Sequence, residues 1–259
     1  MSYQLIVSDW NGTILRHPTD EAQNKKIAYA LLGNAKSRIK EGDLFALWDF
    51  GQLLLAEREL KKRFYDYKNG KLPLQEVYEP FNKRVFRGKD YKFVSNVIDQ
   101  FVDECIKKDD VDKRILRSIC LAHRHGIKTG ILSTSNDAAI HRTLIRSDFE
   151  NLFDAIESNS LITCYIKGEQ KVVGYTFDIN NRKPEFLESR FLRPQNLREK
   201  DVIYFGDSDD DIGIADMLPA GNFIVPFFAT DEFRQYAAQG FGAFIPDTKE
   251  DLDCYLGMR

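Results

Sequence analysis

The apolar run Leu5-Ile6-Val7 empties through Ser8 into Asp9-Trp10-Asn11-Gly12-Thr13, and this junction constrains the fold more than any other stretch. A short apolar run that ends in an acid, a glycine and a hydroxyl reads as a buried strand with its carboxyl end exposed. In an open α/β sheet, ligands bind beyond such ends. A carboxylate held there is a candidate nucleophile, since aspartates form covalent aspartyl-phosphate intermediates that divide a hard displacement into two easier ones. Gly12 would let backbone approach a phosphate closely, and Thr13 offers a hydroxyl or a helix cap. An Asx turn closing a strand explains the same five residues without a ligand.

Similar runs recur at Thr129 to Leu132 and Val202 to Phe205, and Phe223 to Val225 precedes Pro226 as a further strand. Leu161 to Ile166 and Lys171 to Asp178 flank Gly168 like a hairpin. Ile115, Ile119, Leu121 and Ala122 mark a helix that stops before Gly126. Strands alternating with helices predict an α/β fold, a doubly wound parallel sheet of Rossmann-like type. The stretch from Thr19 to Asp110 breaks the alternation, with helix-like segments at Phe45 to Tyr67, Leu74 to Phe86 and Tyr91 to Lys107. That is too much chain for a loop. It predicts an inserted α-helical cap domain over 17–110 and a core domain over 1–16 and 111–259. Trp48, Phe50, Phe64, Tyr65 and Tyr67 are expected in the cap's own core rather than on a binding platform. Lys61-Lys62-Arg63 and Lys107-Lys108 read as solvated helix faces, and Arg58, Arg63 and Arg84 are the cap cations that could reach an anionic substrate.

The charge balance narrows the partners. With 37 basic and 40 acidic residues in 259, the net charge is −3, which favours neither a nucleic-acid backbone nor an anionic membrane. No apolar run is long enough to span a bilayer, and the N-terminus lacks the basic start and apolar stretch of a signal peptide. Cys105, Cys120, Cys164 and Cys254 have no paired spacing, so reduced, mostly buried thiols and a cytoplasmic location are expected. His123 and His125, near a helix end, suit the dipole there better than a ligand role.

Three downstream motifs carry chemistry. Ser133-Thr134-Ser135-Asn136 follows the second strand and precedes a helical pattern, so its hydroxyls meet either an anion or only the helix end. Gly206-Asp207-Ser208-Asp209-Asp210-Asp211 sets four carboxylates in five positions after the third strand. Oxygen ligands of that kind suit Mg²⁺, and a solvated acidic loop is the bland alternative. An EF-hand is excluded because no acid stands at its twelfth position. Lys183, ahead of Pro184, is a candidate to neutralise a carboxylate and a phosphate together.

In this order, strand-Asp-x-x-Gly-Thr, strand-Ser, a lysine and strand-Gly-Asp-Ser-x-x-Asp, the chain resembles the haloacid dehalogenase superfamily of aspartate-nucleophile hydrolases. The long insert, Ala155-Ile156-Glu157-Ser158-Asn159 and the hairpin before Lys183 look most like the phosphoserine phosphatase-like branch. The resemblance implies Asp9 as nucleophile and Mg²⁺ ligand, with the Asn11 backbone carbonyl and Asp207 completing the metal's protein ligands. It implies Ser133, with Thr134 as its fallback, on the phosphoryl group beside Gly12 and Thr13, Lys183 against its charge, and Asp211 steadying the metal or the lysine. The implied activity is Mg²⁺-dependent hydrolysis of a small phosphorylated metabolite.

One position departs from that pattern. The family's phosphatases carry a second Asp where this chain has Asn11, and that acid protonates the leaving alkoxide and later activates water. An amide does neither. General acid–base catalysis is worth roughly 10²–10⁴ in rate, about 3 to 5 kcal/mol. Several explanations are open: His17 or a cap acid substitutes; the leaving group, as in an acyl or aryl phosphate, needs little protonation; the site binds phosphate ligands more than it cleaves them; or Asn11-Gly12 deamidates. Cleavage of a carbon–halogen or carbon–phosphorus bond is the rival chemistry.

Overall fold

The computed structural model describes residues 3–16, 19–72, 76–77 and 82–257. In chain order the elements begin β1 (Leu5–Ser8), α1 (Thr19–Lys40), α2 (Phe45–Lys68), β2 (Lys89–Asp90) and α3 (Tyr91–Lys107). There follow α4 (Lys113–Arg124), β3 (Lys128–Asn136), α5 (Asp137–Arg146), β4 (Ala155–Asn159), β5 (Leu161–Ile166) and β6 (Glu169–Tyr175). The chain continues through α6 (Lys183–Phe186), β7 (Val202–Phe205), α7 (Ile212–Ala215), β8 (Phe223–Ile224), α8 (Asp231–Phe241) and α9 (Lys249–Tyr255). It divides into two compact units, 1–20 with 103–159 and 181–259, and 21–102 with 160–180.

The first unit is built on a parallel sheet in the order β4-β3-β1-β7-β8. Every residue of β1 is buried, which a Leu-Ile-Val run achieves only with both faces of the sheet covered. Each such side chain contributes about 1.5–3 kcal/mol by leaving water. The register aligns Ser8 with Ile131 on one side and with Phe205 on the other. Asp9 and Gly206 therefore leave the sheet at the same edge, level with Leu132, while β3 runs on to Asn136 beside β4. Because β3 and β7 flank β1 on opposite sides, this edge is the point where strand order reverses, and a crevice opens there in doubly wound sheets.

Local chemistry sets the flanking helices. Asp112 caps α4 by accepting from Arg114 N, and the helix buries Ile115, Leu116, Ile119 and Ala122 at helical spacing. Asn136 caps α5 through Ala138 N and Ala139 N, so β3 passes into its helix without a loop.

The second unit holds α1, α2 and a three-stranded sheet in the order β2-β6-β5. The expected hairpin about Gly168 is present, with Ile166 opposite Glu169. It clusters with 21–102, whereas the sequence pattern assigns it to 111–259. The cause is a pairing distant in sequence, Lys89 with Val172 and Asp90 with Lys171. The same pairing adds a two-residue strand to a segment expected to be helical. Of the expected helix at Leu74 to Phe86, residues 82–86 form a π-helical turn, and 73–75 and 78–81 lie outside the described residues.

Two expectations about burial are corrected. Trp48 and Tyr65 are 71% and 66% exposed, and Tyr67 is exposed as well, so these aromatics do not form a cap core. Apolar residues surround α2 on more than one face, and the face that turns inward carries Ala46, Leu53 and Ala56. The thiols are not mostly buried either: Cys105 is buried, but Cys164 and Cys254 are exposed. Among the described residues no helix is long and apolar enough to cross a membrane.

Candidate active site

The backbone after β1 turns sharply and is fixed at both ends. Asp9 N donates to Phe205 O at 2.9 Å, Leu15 N to Trp10 O at 2.8 Å, and Gly12 N to Leu15 O at 2.6 Å. Trp10 is fully buried and anchors the turn. Gly12 has φ +76°, and a Cβ there would overlap the Asp207 carboxylate, so only glycine fits this approach of two loops. Gly206 meets a similar limit, since a Cβ would lie 2.7 Å from Asp211 Cβ.

These close approaches gather the acids. Asp9, Asp207 and Asp211 each offer an oxygen within 4.8 Å of the other two. Lys183 Nζ lies 3.0 Å from Asp9 Oδ2 and 2.7 Å from Asp211 Oδ1, and the lysine is 2% exposed. It begins α6, just after Asn181 turns the chain with φ +60°, a conformation asparagine tolerates. Both oxygens of Asp211 are engaged: Oδ1 also accepts from Tyr204 OH at 2.9 Å, and Oδ2 from Asp207 N at 3.2 Å. Asp9 Oδ1 accepts from Trp10 N at 2.7 Å. Thr13 Oγ1 donates to Asp207 Oδ1 at 3.1 Å, so its hydroxyl ties the two loops together.

The electrostatics follow from burial. Loss of solvent pushes Asp9 up to about 7; Lys183 works against that shift and Asp211 adds to it. Burial, then Asp9 and Asp211, push Asp207 up to about 8. Burial opposes the charge on Lys183, but Asp211 and Asp9 outweigh it and its pKa rises. Once the acids ionise, one ammonium against two buried carboxylates and a half-buried third leaves negative charge uncompensated. The donors are all oxygens, which fits a hard divalent cation such as Mg²⁺. Asp9 and Asp207 have oxygens least committed to the protein, whereas Asp211 is bound to Lys183, Tyr204 and the Asp207 backbone.

Beside this cluster, Ser133 is fully buried and its Oγ accepts from Ser135 N at 3.2 Å. Ser135 Oγ in turn donates to Asn11 Oδ1 at 3.3 Å. Thr134 is half-buried and its carbonyl accepts from Asn159 Nδ2 at 2.7 Å. Asp209 and Asp210 remain exposed at the rim. His17 lies outside the described residues. In the second unit, Arg63 and Arg84 are both paired with Glu59, at 3.2 and 3.4 Å.

Ser135 and Tyr204 are the site residues that sequence reasoning did not single out. Alternation along an extended strand puts Ser135 on the face of Ser133, a period-two signal cut off by ending the expected strand at Leu132; Tyr204 lies inside the expected strand Val202 to Phe205, where an apolar run reads as core.

A family model described as haloacid dehalogenase-like hydrolase matches residues 6–216. No curated protein matches the chain. Among solved structures, a phospho-aspartyl intermediate analogue of phosphoserine phosphatase is 18% identical, with TM-score 0.55 over 95% of this chain and 93% of that one. A substrate-bound phosphoserine phosphatase complex is 15% identical, with TM-score 0.52 over 96% and 95%. A protein of unknown function from Bordetella pertussis Tohama I is 14% identical, with TM-score 0.62 over 95% and 99%. At these identities the likeness concerns the fold.

Proposed function

The chain belongs to the haloacid dehalogenase-like hydrolases, and on that premise we propose that it is a Mg²⁺-dependent phosphatase acting on a small phosphorylated metabolite through an aspartyl-phosphate on Asp9. The observation that carries this reading is the buried contact between Lys183 and Asp9, 3.0 Å apart, within a cluster of three carboxylates. A carboxylate beside a fixed cation keeps its nucleophilic oxygen while the incoming phosphate's charge is met.

Asp9 attacks phosphorus, and the phosphorus–oxygen bond to the leaving group breaks. Lys183 holds charge on the transferring group, and Ser133 hydrogen-bonds it. Gly12 lets the loop backbone approach the phosphate. Asp9, Asp207 and the Asn11 backbone carbonyl would hold Mg²⁺, with Asp211 fixing Lys183 beside them. Bound there, the ion supplies positive charge against the phosphoryl oxygens. The second unit, with its helices and hairpin, is the segment assigned to substrate selection.

A screen of phosphorylated metabolites with Mg²⁺ tests the reading. Phosphate release that Asp9→Ala and chelation each abolish supports it; release surviving both changes sinks it. Asn11 favours a second reading, a phosphate-ligand binding protein with negligible turnover. That reading requires binding of a phosphoryl analogue alongside no hydrolysis of any phosphate. Halide release in the presence of chelator would instead decide for carbon–halogen cleavage.

A further inference from the structure

The side chain two residues after Asp9 is held as a fixed, neutral hydrogen-bond donor. Ser135 Oγ donates to Asn11 Oδ1 at 3.3 Å, with no partner for Nδ2 among the described residues, so the amide keeps a donor to offer. Ser135 is itself fixed, being buried with its N–H bound to Ser133 Oγ at 3.2 Å. The backbone at Asn11 is fixed as well, through its bridge to Leu15. An amide so placed can steady a negative oxygen, but it has no proton to give and no lone pair basic enough to take one.

We infer that the site is built for phosphates whose leaving group departs as a stable anion, acyl phosphates foremost, rather than for alkyl phosphate esters. The inference rests on the phosphatase reading and deepens it. In the first step an Asp9 oxygen bonds to phosphorus as the bond from phosphorus to the acyl oxygen breaks. The electron pair leaves on the carboxylate. A carboxylic acid ionises near about 4, so this group needs no proton on departure. An alkoxide is nearly as basic as hydroxide and leaves poorly without one. In the second step water bonds to phosphorus, the bond to the Asp9 oxygen breaks, and a water proton passes to bulk buffer. No carboxylate at position 11 assists that step, so breakdown of the phosphorylated enzyme limits turnover.

Two signatures follow. The value of kcat/KM depends steeply on the leaving group, and kcat is shared among acyl and aryl phosphates because breakdown of one common intermediate sets it. The test compares acetyl phosphate, para-nitrophenyl phosphate and glycerol phosphate, with Mg²⁺, on the wild type and on Asn11→Asp. The wild type is expected to favour acetyl over glycerol phosphate in kcat/KM by several orders of magnitude. Asn11→Asp is expected to narrow that ratio roughly 10²–10⁴-fold, the ordinary worth of general acid catalysis. If Asn11→Asp fails to fold, the wild-type series alone decides, since a steep dependence supports the inference and a flat one overturns it. Comparable kcat/KM on glycerol and acetyl phosphate, with a ratio that Asn11→Asp leaves alone, overturns the inference while Asp9-dependent phosphatase activity stands. Absence of phosphate release from all three compounds in both proteins removes the phosphatase reading itself, and this inference with it.

Discussion

The ammonium of Lys183 lies 3.0 Å from the carboxylate of Asp9, with both groups buried, although they come from opposite halves of the chain. The second contact of Lys183, to Asp211 at 2.7 Å, makes it a clamp between β1 and the loop after β7. Removing one partner of a buried ion pair leaves the others uncompensated and costs about 3–5 kcal/mol. Lys183→Met should therefore lower stability by an amount of that order and abolish phosphate release. Urea denaturation with an activity assay checks both, and a fully stable, active Lys183→Met would contradict the clamp.

The acids set a pH dependence with a definite sign. Asp9 and Asp207 are raised from 3.8 to about 7 and about 8, each chiefly by burial. A folded-state pKa above the unfolded one gives stability that is present at low pH and lost as pH rises through the folded value. In chelator, melting temperature should therefore fall between pH 5 and 8 through these two groups, and Asp207→Asn should flatten the slope. Mg²⁺ should raise the melting temperature more at pH 8 than at pH 6, because binding requires deprotonated carboxylates. Thermal scans across that range, with and without Mg²⁺, measure both effects.

Tyr204 holds Asp211 from beneath, its hydroxyl 2.9 Å from Oδ1. Hydrogen bonds to charged groups are worth about 1.5–3 kcal/mol. Tyr204→Phe should retain the fold, because the ring stays packed against Phe223. It should nevertheless reduce kcat, by letting Asp211 and Lys183 shift, with a smaller effect on KM. Steady-state kinetics beside circular dichroism separate that outcome from a merely structural one.

Gly12 makes the most local prediction. Its φ of +76° alone disfavours alanine by about 1–2 kcal/mol, and the added methyl meets Asp207. Gly12→Ala should weaken the Mg²⁺-dependent rise in melting temperature beyond its effect on the metal-free protein. Equal losses in both conditions would show that only the turn is affected.

How much was legible in the sequence depended on the range of the interactions involved. β1, β7 and the hairpin stand out because each is an apolar or alternating run with a sharp end, and those ends carried Asp9 and Asp207. The order of the motifs pointed to the family without any knowledge of contacts. What stayed hidden was set by partners far along the chain. The pairing of Lys89 with Val172 draws the hairpin into the second unit. The outward turn of Trp48 depends on which face of α2 finds Ala46 and Leu53's neighbours, which periodicity alone does not decide. Asn11 was visible as a departure from the family's pattern, but its hydroxyl partner, Ser135, lies at the far end of β3 and emerges only once the strands are side by side.

The central claim is that Asp9 takes up the phosphoryl group, and the most direct measurement is the mass of the protein itself. Wild-type protein mixed with acetyl phosphate and Mg²⁺, then quenched in acid, should carry one phosphoryl adduct that maps to the peptide containing Asp9. Slow breakdown of the intermediate should make the adduct abundant, and Asp9→Asn should lack it. Phosphate release that continues with no adduct on Asp9 at any quench time would contradict the account.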